Sequence, residues 1–104
     1  VSAAANALRG EAELRIGDAV HVLRPSFAAL VAAEEELGPL FALVERAADG
    51  RLALGEMAAL FWHCVRDRPA ALTREAIGEA VVAQGLAAVT PALRVLLGQI
   101  LSGR

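Results

Sequence analysis

Few side chains in this sequence have the chemistry for catalysis or metal binding, and their spacing works against both. His63 and Cys64 are adjacent, and His21 is the only other histidine. A nucleophile and its base must face each other, whereas neighbours on one helix project about 100° apart. A metal site needs several convergent ligands, and neither a C-x-x-C nor an H-x-x-x-H pattern occurs. Cys64 falls inside an apolar stripe, which predicts a buried structural thiol, and His21 reads as strand padding. Serine stands only at positions 2, 26 and 102, none in a strand-to-helix nucleophile turn. The glycines punctuate turns and helix ends, with no phosphate-cradling loop. These residues predict a protein that is not an enzyme and uses no cofactor or metal.

A second kind of chemistry is recognition, and here Glu34 draws attention. Phe27, Leu30, Val31 and Leu37 mark one face of a helix, and Glu34 projects from near its centre. Its neighbours Glu35 and Glu36 read as a solvated charge run. A buried carboxylate needs a partner, since breaking such a pair costs about 3–5 kcal/mol. Arg24 and Arg66 are the natural partners, and a structural ion pair is the first expectation. The alternative is a face left open for another protein. Trp62 lies off the Leu60–Phe61–Cys64 stripe, so it either backs onto a second packing partner or serves as an exposed anchor. Phe41, at the flank of its helix, poses the same question. The candidate partner-binding or ion-pair residues are therefore Arg24, Phe27, Glu34, Phe41 and Trp62.

The elements that must position them follow from periodicity and punctuation. Positions 1–10 show no pattern and read as a loose lead-in to a single domain over 11–104. Positions 11–16 alternate polar and apolar, Gly17-Asp18 supplies a turn, and Val20 to Leu23 resumes the alternation, giving a hairpin over 11–24. A two-residue loop would oppose Ile16 to Ala19. A three-residue loop would gather Leu14, Ile16, Val20 and Val22 on one face, and burial favours that pairing. Pro25 ends the hairpin and Ser26 caps a helix to Leu37, with Gly38 beyond it. A second helix covers Leu40 to Ala48, behind Pro39. After an extended link at Leu52-Ala53-Leu54, a third runs from Gly55 or Glu56 to Arg66. Thr73 caps a fourth, which Gly85 ends. A fifth starts at Thr90-Pro91, or just before, and reaches Leu101. The fold class expected is α+β, mostly α: a hairpin and a bundle of about five short helices over 26–102.

Composition narrows the setting. Of 104 residues, 24 are alanine and only four are aromatic, which suits closely approaching helices. All ten basic residues are arginine, scattered against a net charge of −2, so no basic stripe for nucleic acid is present. The longest apolar stretch, Ala80 to Leu93, is interrupted by Gly85 and Thr90-Pro91 and falls short of the roughly 18–20 residues of a membrane span. One cysteine excludes an internal disulfide and suits a reducing compartment. The segment Val1 to Ala7 lacks the basic start of a secretion signal. A soluble, intracellular protein is expected.

The order of a short hairpin, L-R-P-S-F-A-A-L (Leu23 to Leu30) and A-E-E-E-L-G-x-L (Ala33 to Leu40) resembles a family of small proteins from the tail clusters of gene transfer agents and related tailed phages. R-L-A-L-G-E-M-A-A-L-F-W (Arg51 to Trp62) and L-T-R-E-A-I-G-E-A-V (Leu72 to Val81) extend the resemblance, which spans about positions 10 to 101. It implies a bacterial cytoplasmic protein, also carried in a phage-like particle if it remains in the tail. The family looks like tail assembly chaperones, although members are sometimes labelled tail tube proteins. The first label implies an assembly factor that shields hydrophobic helices of a tape-measure protein. The second implies a structural tail or head–tail component of the particle. Because a tube subunit is largely β, the helical pattern favours the chaperone-like reading. Tail proteins are the expected partners, with self-association through the hairpin edge a further route, and neither nucleic acid nor membrane is expected.

Overall fold

The computed structural model describes residues 6 and 10–103. Two antiparallel strands, β1 (Ala12–Ile16) and β2 (Ala19–Leu23), precede five helices: α1 (Phe27–Leu37), α2 (Leu40–Ala48), α3 (Leu54–Cys64), α4 (Arg74–Gln84) and α5 (Leu86–Ser102). The expected hairpin-plus-five-helix architecture is the one observed. Of the lead-in, only Asn6 and Gly10 are among the described residues.

The hairpin pairs Ile16 with Ala19, Leu14 with His21 and Ala12 with Leu23. This is the two-residue loop, and the three-residue register favoured on burial grounds is incorrect. Turn chemistry decides: Gly17 adopts a φ of 61°, as the first central residue of a tight hairpin turn with primed geometry requires. The inner face then carries Ala12, Leu14 and Leu23, all buried, while Val20 is left 54% exposed. Val22 belongs to the outer face but is buried too. The chain leaving α3 pairs along the edge of β2 there: Val65 forms a bridge with Leu23, the Arg24 N–H donates to the Cys64 carbonyl at 2.6 Å, and the Arg66 N–H donates to the Val22 carbonyl at 2.8 Å.

That bridge also explains why α3 stops at Cys64, two residues short of the expected end. Val65 leaves the helical region (φ −60°, ψ 119°) to meet β2, and Asp67 takes a left-handed φ of 51° to turn the chain. The fifth helix differs in the opposite sense. It begins at Leu86, directly after Gly85, and Pro91 lies inside it. Proline removes only the hydrogen bond to the Ala87 carbonyl, and Ala87 is exposed to water. The Thr90 hydroxyl donates to the Leu86 carbonyl at 2.7 Å in the same turn.

Capping follows the sequence closely. Ser26 Oγ accepts from the Ala29 N–H at 3.2 Å, and Thr73 Oγ1 accepts from the Ala76 N–H at 3.1 Å. The Glu56 carboxylate reaches back to the Ala53 N–H at 3.0 Å and pairs with Arg46. The Ala53 hydrogen bond, with Arg46 beside it, holds that carboxyl below its ordinary range.

One core joins these elements. Leu14 and Leu23 from the hairpin meet Leu43, Leu60, Phe61, Ile77, Val81 and Leu96 from the helices. The predicted stripe Met57–Leu60–Phe61–Cys64 is wholly buried. Helix α3 is central, packing against both α1 and α4, while α5 lies on β1 and α4. Helix α2 has its main contacts with α1 and α5 alone.

A candidate protein-binding surface

Phe27 and Phe41 set the character of the α1–α2 flank. They are 86% and 72% exposed, although the chain has only three phenylalanines. Burying a side chain of this kind is worth about 1.5–3 kcal/mol, and the fold forgoes that gain twice. The cause lies in how α1 docks. Its contact with the core runs through fully buried Ala33 and part-buried Ala29, which let the backbone approach α3 closely. The larger residues Phe27 and Val31 are rotated outward, while Leu30 and Leu37 are half-buried.

Glu34 stands two turns after Phe27 and is exposed. It pairs with neither Arg24 nor Arg66, so the expected ion pair is not formed. Instead its Oε2 accepts the Leu40 N–H at 3.1 Å, satisfying one of the free donors at the start of α2, where Pro39 offers no side-chain acceptor. Leu30, Glu34, Leu40, Phe41 and Ile100 line a hollow of about 330 Å³ between α1, α2 and α5. A second hollow of about 340 Å³ shares Val44 and Leu101 with it and continues along α2 and α5 past Leu97 and Gly98. Together they make a furrow with Phe41 on one lip. Of the predicted site residues, Glu34 and Phe41 line the furrow, while Phe27 stands exposed two turns before Glu34 on α1, outside its lining.

Arg24 and Trp62 do not line it either. Arg24 Nε lies 3.7 Å from Glu11 Oε2, and Arg66 lies 3.9 Å from the same oxygen. Both arginines proposed for Glu34 therefore converge on Glu11, the buried carboxylate of the structure at 3% exposure. Its other oxygen accepts the Asn6 N–H at 2.9 Å. Extending the observed hairpin register by one step sets Glu11 opposite Arg24.

Trp62 is half-buried against the core, with the Arg68 guanidinium 3.9 Å above its ring and Arg74 at 5.7 Å. Arg68 also donates to the Trp62 carbonyl at 2.7 Å. Arg74 in turn makes a two-point contact with Glu36, whose Oε1 lies 2.8 Å from His63 Nε2. The Arg74 hydrogen bonds, with His63 adding to them, hold the Glu36 carboxyl down at about 2. Glu36 is thus part of a cross-helix network joining α1, α3 and α4, and not the free solvated charge expected. Trp62 is roofed by guanidinium groups.

Cys64 is buried, and desolvation pushes its thiol up to about 12, so it carries no thiolate near neutral pH. Among the described residues, no group of three or more His, Cys, Asp or Glu side chains is placed to hold a metal ion. Among the same residues, no helix is long and apolar enough to cross a membrane.

A family model described as "Phage tail tube protein, GTA-gp10" matches residues 9–103. The chain belongs to this family. The match takes in the hairpin and all five helices of the tail-protein fold described above. No curated protein and no solved structure matches the chain. The furrow residues Val44, Leu97, Gly98 and Leu101 of this tail-family chain were not singled out from sequence as a site. The signal was the width of the apolar stripe on α5, where Leu93, Leu96, Leu97, Ile100 and Leu101 exceed what one buried face accommodates.

Proposed function

We propose that this protein works by binding other tail proteins, as a structural tail component of a phage-like particle, with the Phe27–Phe41 flank and its furrow as the contact surface. The observation that carries the reading is the family match over nearly the whole chain. The flank supports it physically: large exposed apolar side chains around a groove are the usual form of a protein-binding patch. The chemistry of such a role is non-catalytic. Immunodetection of the chain in purified particles tests the proposal. Phe27→Ser together with Phe41→Ser should reduce incorporation while leaving the melting temperature nearly unchanged. Absence from particles that are otherwise complete would count against a structural role.

A second reading, an assembly factor resembling tail assembly chaperones, is favoured by one specific feature. Among the described residues the only sheet is a two-stranded hairpin, whereas an open furrow runs between two helices. Such a furrow suits an apolar helix of a tail protein such as the tape-measure protein. Co-expression separates the readings: a chaperone should increase the soluble yield of that partner and stay out of the finished particle. Self-association through the hairpin edge has less support, because β2 is engaged by Val65 and the Arg15 carbonyl on β1 accepts from Gln84 at 2.5 Å.

A further inference from the structure

A separate groove lies between α3 and α4 and shares no lining residue with the furrow. It has a volume of about 520 Å³ and an almost wholly apolar lining that includes Leu54, Gly55, Ala58, Gly78 and Val82. Leu54 is 45% and Val82 63% exposed. Gly55 sits in the first turn of α3 and Gly78 in the middle of α4. Neither is required by the fold: neither has a positive φ, and a methyl group placed on either would meet no atom within 4 Å. A mid-helix glycine weakens its helix relative to alanine. Its presence here keeps the groove floor low, which serves a close-approaching visitor and nothing inside the chain.

The rim supplies the second observation. Glu75 and Glu79 stand one turn apart along α4 and both line the groove. Neither makes an ion-pair contact among the described residues. Arg74 spends its hydrogen bonds on Glu36 and acts on Glu75 only through its charge. An apolar trough with two carboxylates one turn apart, neither in an ion-pair contact, calls for an apolar helix face flanked by cations at the same spacing. A second copy of this chain does not offer that pattern. Each of α2, α4 and α5 carries a single arginine, and α1 and α3 carry none. Two of those three, Arg46 and Arg74, are already paired.

We propose that the α3–α4 groove docks an amphipathic helix of a partner protein, small and apolar on its inner face, with Lys or Arg one turn apart against Glu75 and Glu79. The proposal goes beyond the tail-component reading and does not depend on the Phe27–Phe41 flank. A labelled designed peptide tests it: an amphipathic helix with leucine and alanine on one face and arginines one turn apart beside it, titrated by fluorescence anisotropy. The expected result is saturable binding, weakened about tenfold or more by Glu75→Lys with Glu79→Lys and by Gly78→Leu. Phe27→Ser with Phe41→Ser should leave this binding unchanged, which separates failure here from failure of the tail-component reading. Gly78→Ala keeps the experiment independent of folding, since it should raise the melting temperature and still weaken the peptide. Absence of saturable binding, equal binding of a peptide with glutamate in place of arginine, or indifference to the rim and floor variants would overturn the proposal. So would self-association of the protein that Gly78→Leu abolishes, because the occupant would then be a second copy.

Discussion

The pole where the hairpin meets α3 and the flank where α2 leans on α5 use the same kinds of residue to opposite ends. At the pole, Leu14, Leu23, Leu60 and Phe61 are buried, backbone hydrogen bonds tie β2 to the segment after α3, and Glu11 sits between two arginines. At the flank, Phe41, Val31 and Leu101 stay open, and α2 is anchored chiefly by Leu43, its one fully buried residue. Exposed apolar area carries no meaning in single residues, but here it is contiguous with a furrow while the pole beside it is closed. The difference teaches that the fold spends its buried side chains and backbone pairing at the pole and leaves large apolar side chains in water at the flank.

Substitutions at the pole should break that contrast first. Phe61→Ala removes a fully buried aromatic side chain and should cost about 3–5 kcal/mol. Phe41→Ala, the same chemical change on the flank, should stay within about 0.5 kcal/mol. Urea titrations of the two variants give the comparison directly, and similar losses would show that the flank is structural. Next in size is the Glu11 clamp. Arg24→Ala should destabilise by about 1–3 kcal/mol, because it leaves a buried carboxylate oxygen facing Arg66 alone. Arg24 is itself half-exposed, which places the loss toward the lower end. A smaller loss than at the Glu11 clamp concerns the α1–α3–α4 network. Glu36 titrates at about 2 in the folded chain and at its ordinary 4.5 when unfolded, so its pairing stabilises above pH 4.5 and is lost as pH falls towards 2. Glu36 is partly exposed, and the contribution is about 1 kcal/mol or less. Glu36→Gln should flatten the acid arm of a melting-temperature profile between those limits and leave Phe41→Ala behaviour untouched.

Which parts of this were legible beforehand follows a physical pattern. Helix ends governed by caps and glycines were readable, as at Ser26, Gly38, Thr73 and Gly85, because the deciding interactions are local. The end of α3 was not, since Val65 is drawn out of the helix by a strand distant in sequence. The ion pair expected on α1 did not form for a different reason. Large apolar residues on a helical wheel mark the most hydrophobic side, but α1 docks through Ala29 and Ala33, where close approach outweighs bulk. Glu11 was missed because strict alternation puts it with solvent-facing Glu13 and Arg15. Its burial comes from groups that alternation does not report: Arg24 and Arg66 converge on one oxygen and the Asn6 N–H donates to the other. The exposed Phe27 and Phe41 were recognisable as candidates by type, while the furrow beside them depends on α5 lying next to α2.

The Leu23–Val65 bridge also fixes an order of events during synthesis. Its partners lie about forty residues apart, so closing it forfeits the entropy of a long loop before any contact is gained. The hairpin alone is too small to persist in water. A growing chain therefore exposes β1 and β2 as unsettled segments at least until α3 has left the ribosome, and β1 gains its packing against α4 and α5 later still. An arrest that releases the chain before position 65 should yield a product that aggregates or is degraded, however complete its hairpin and first two helices.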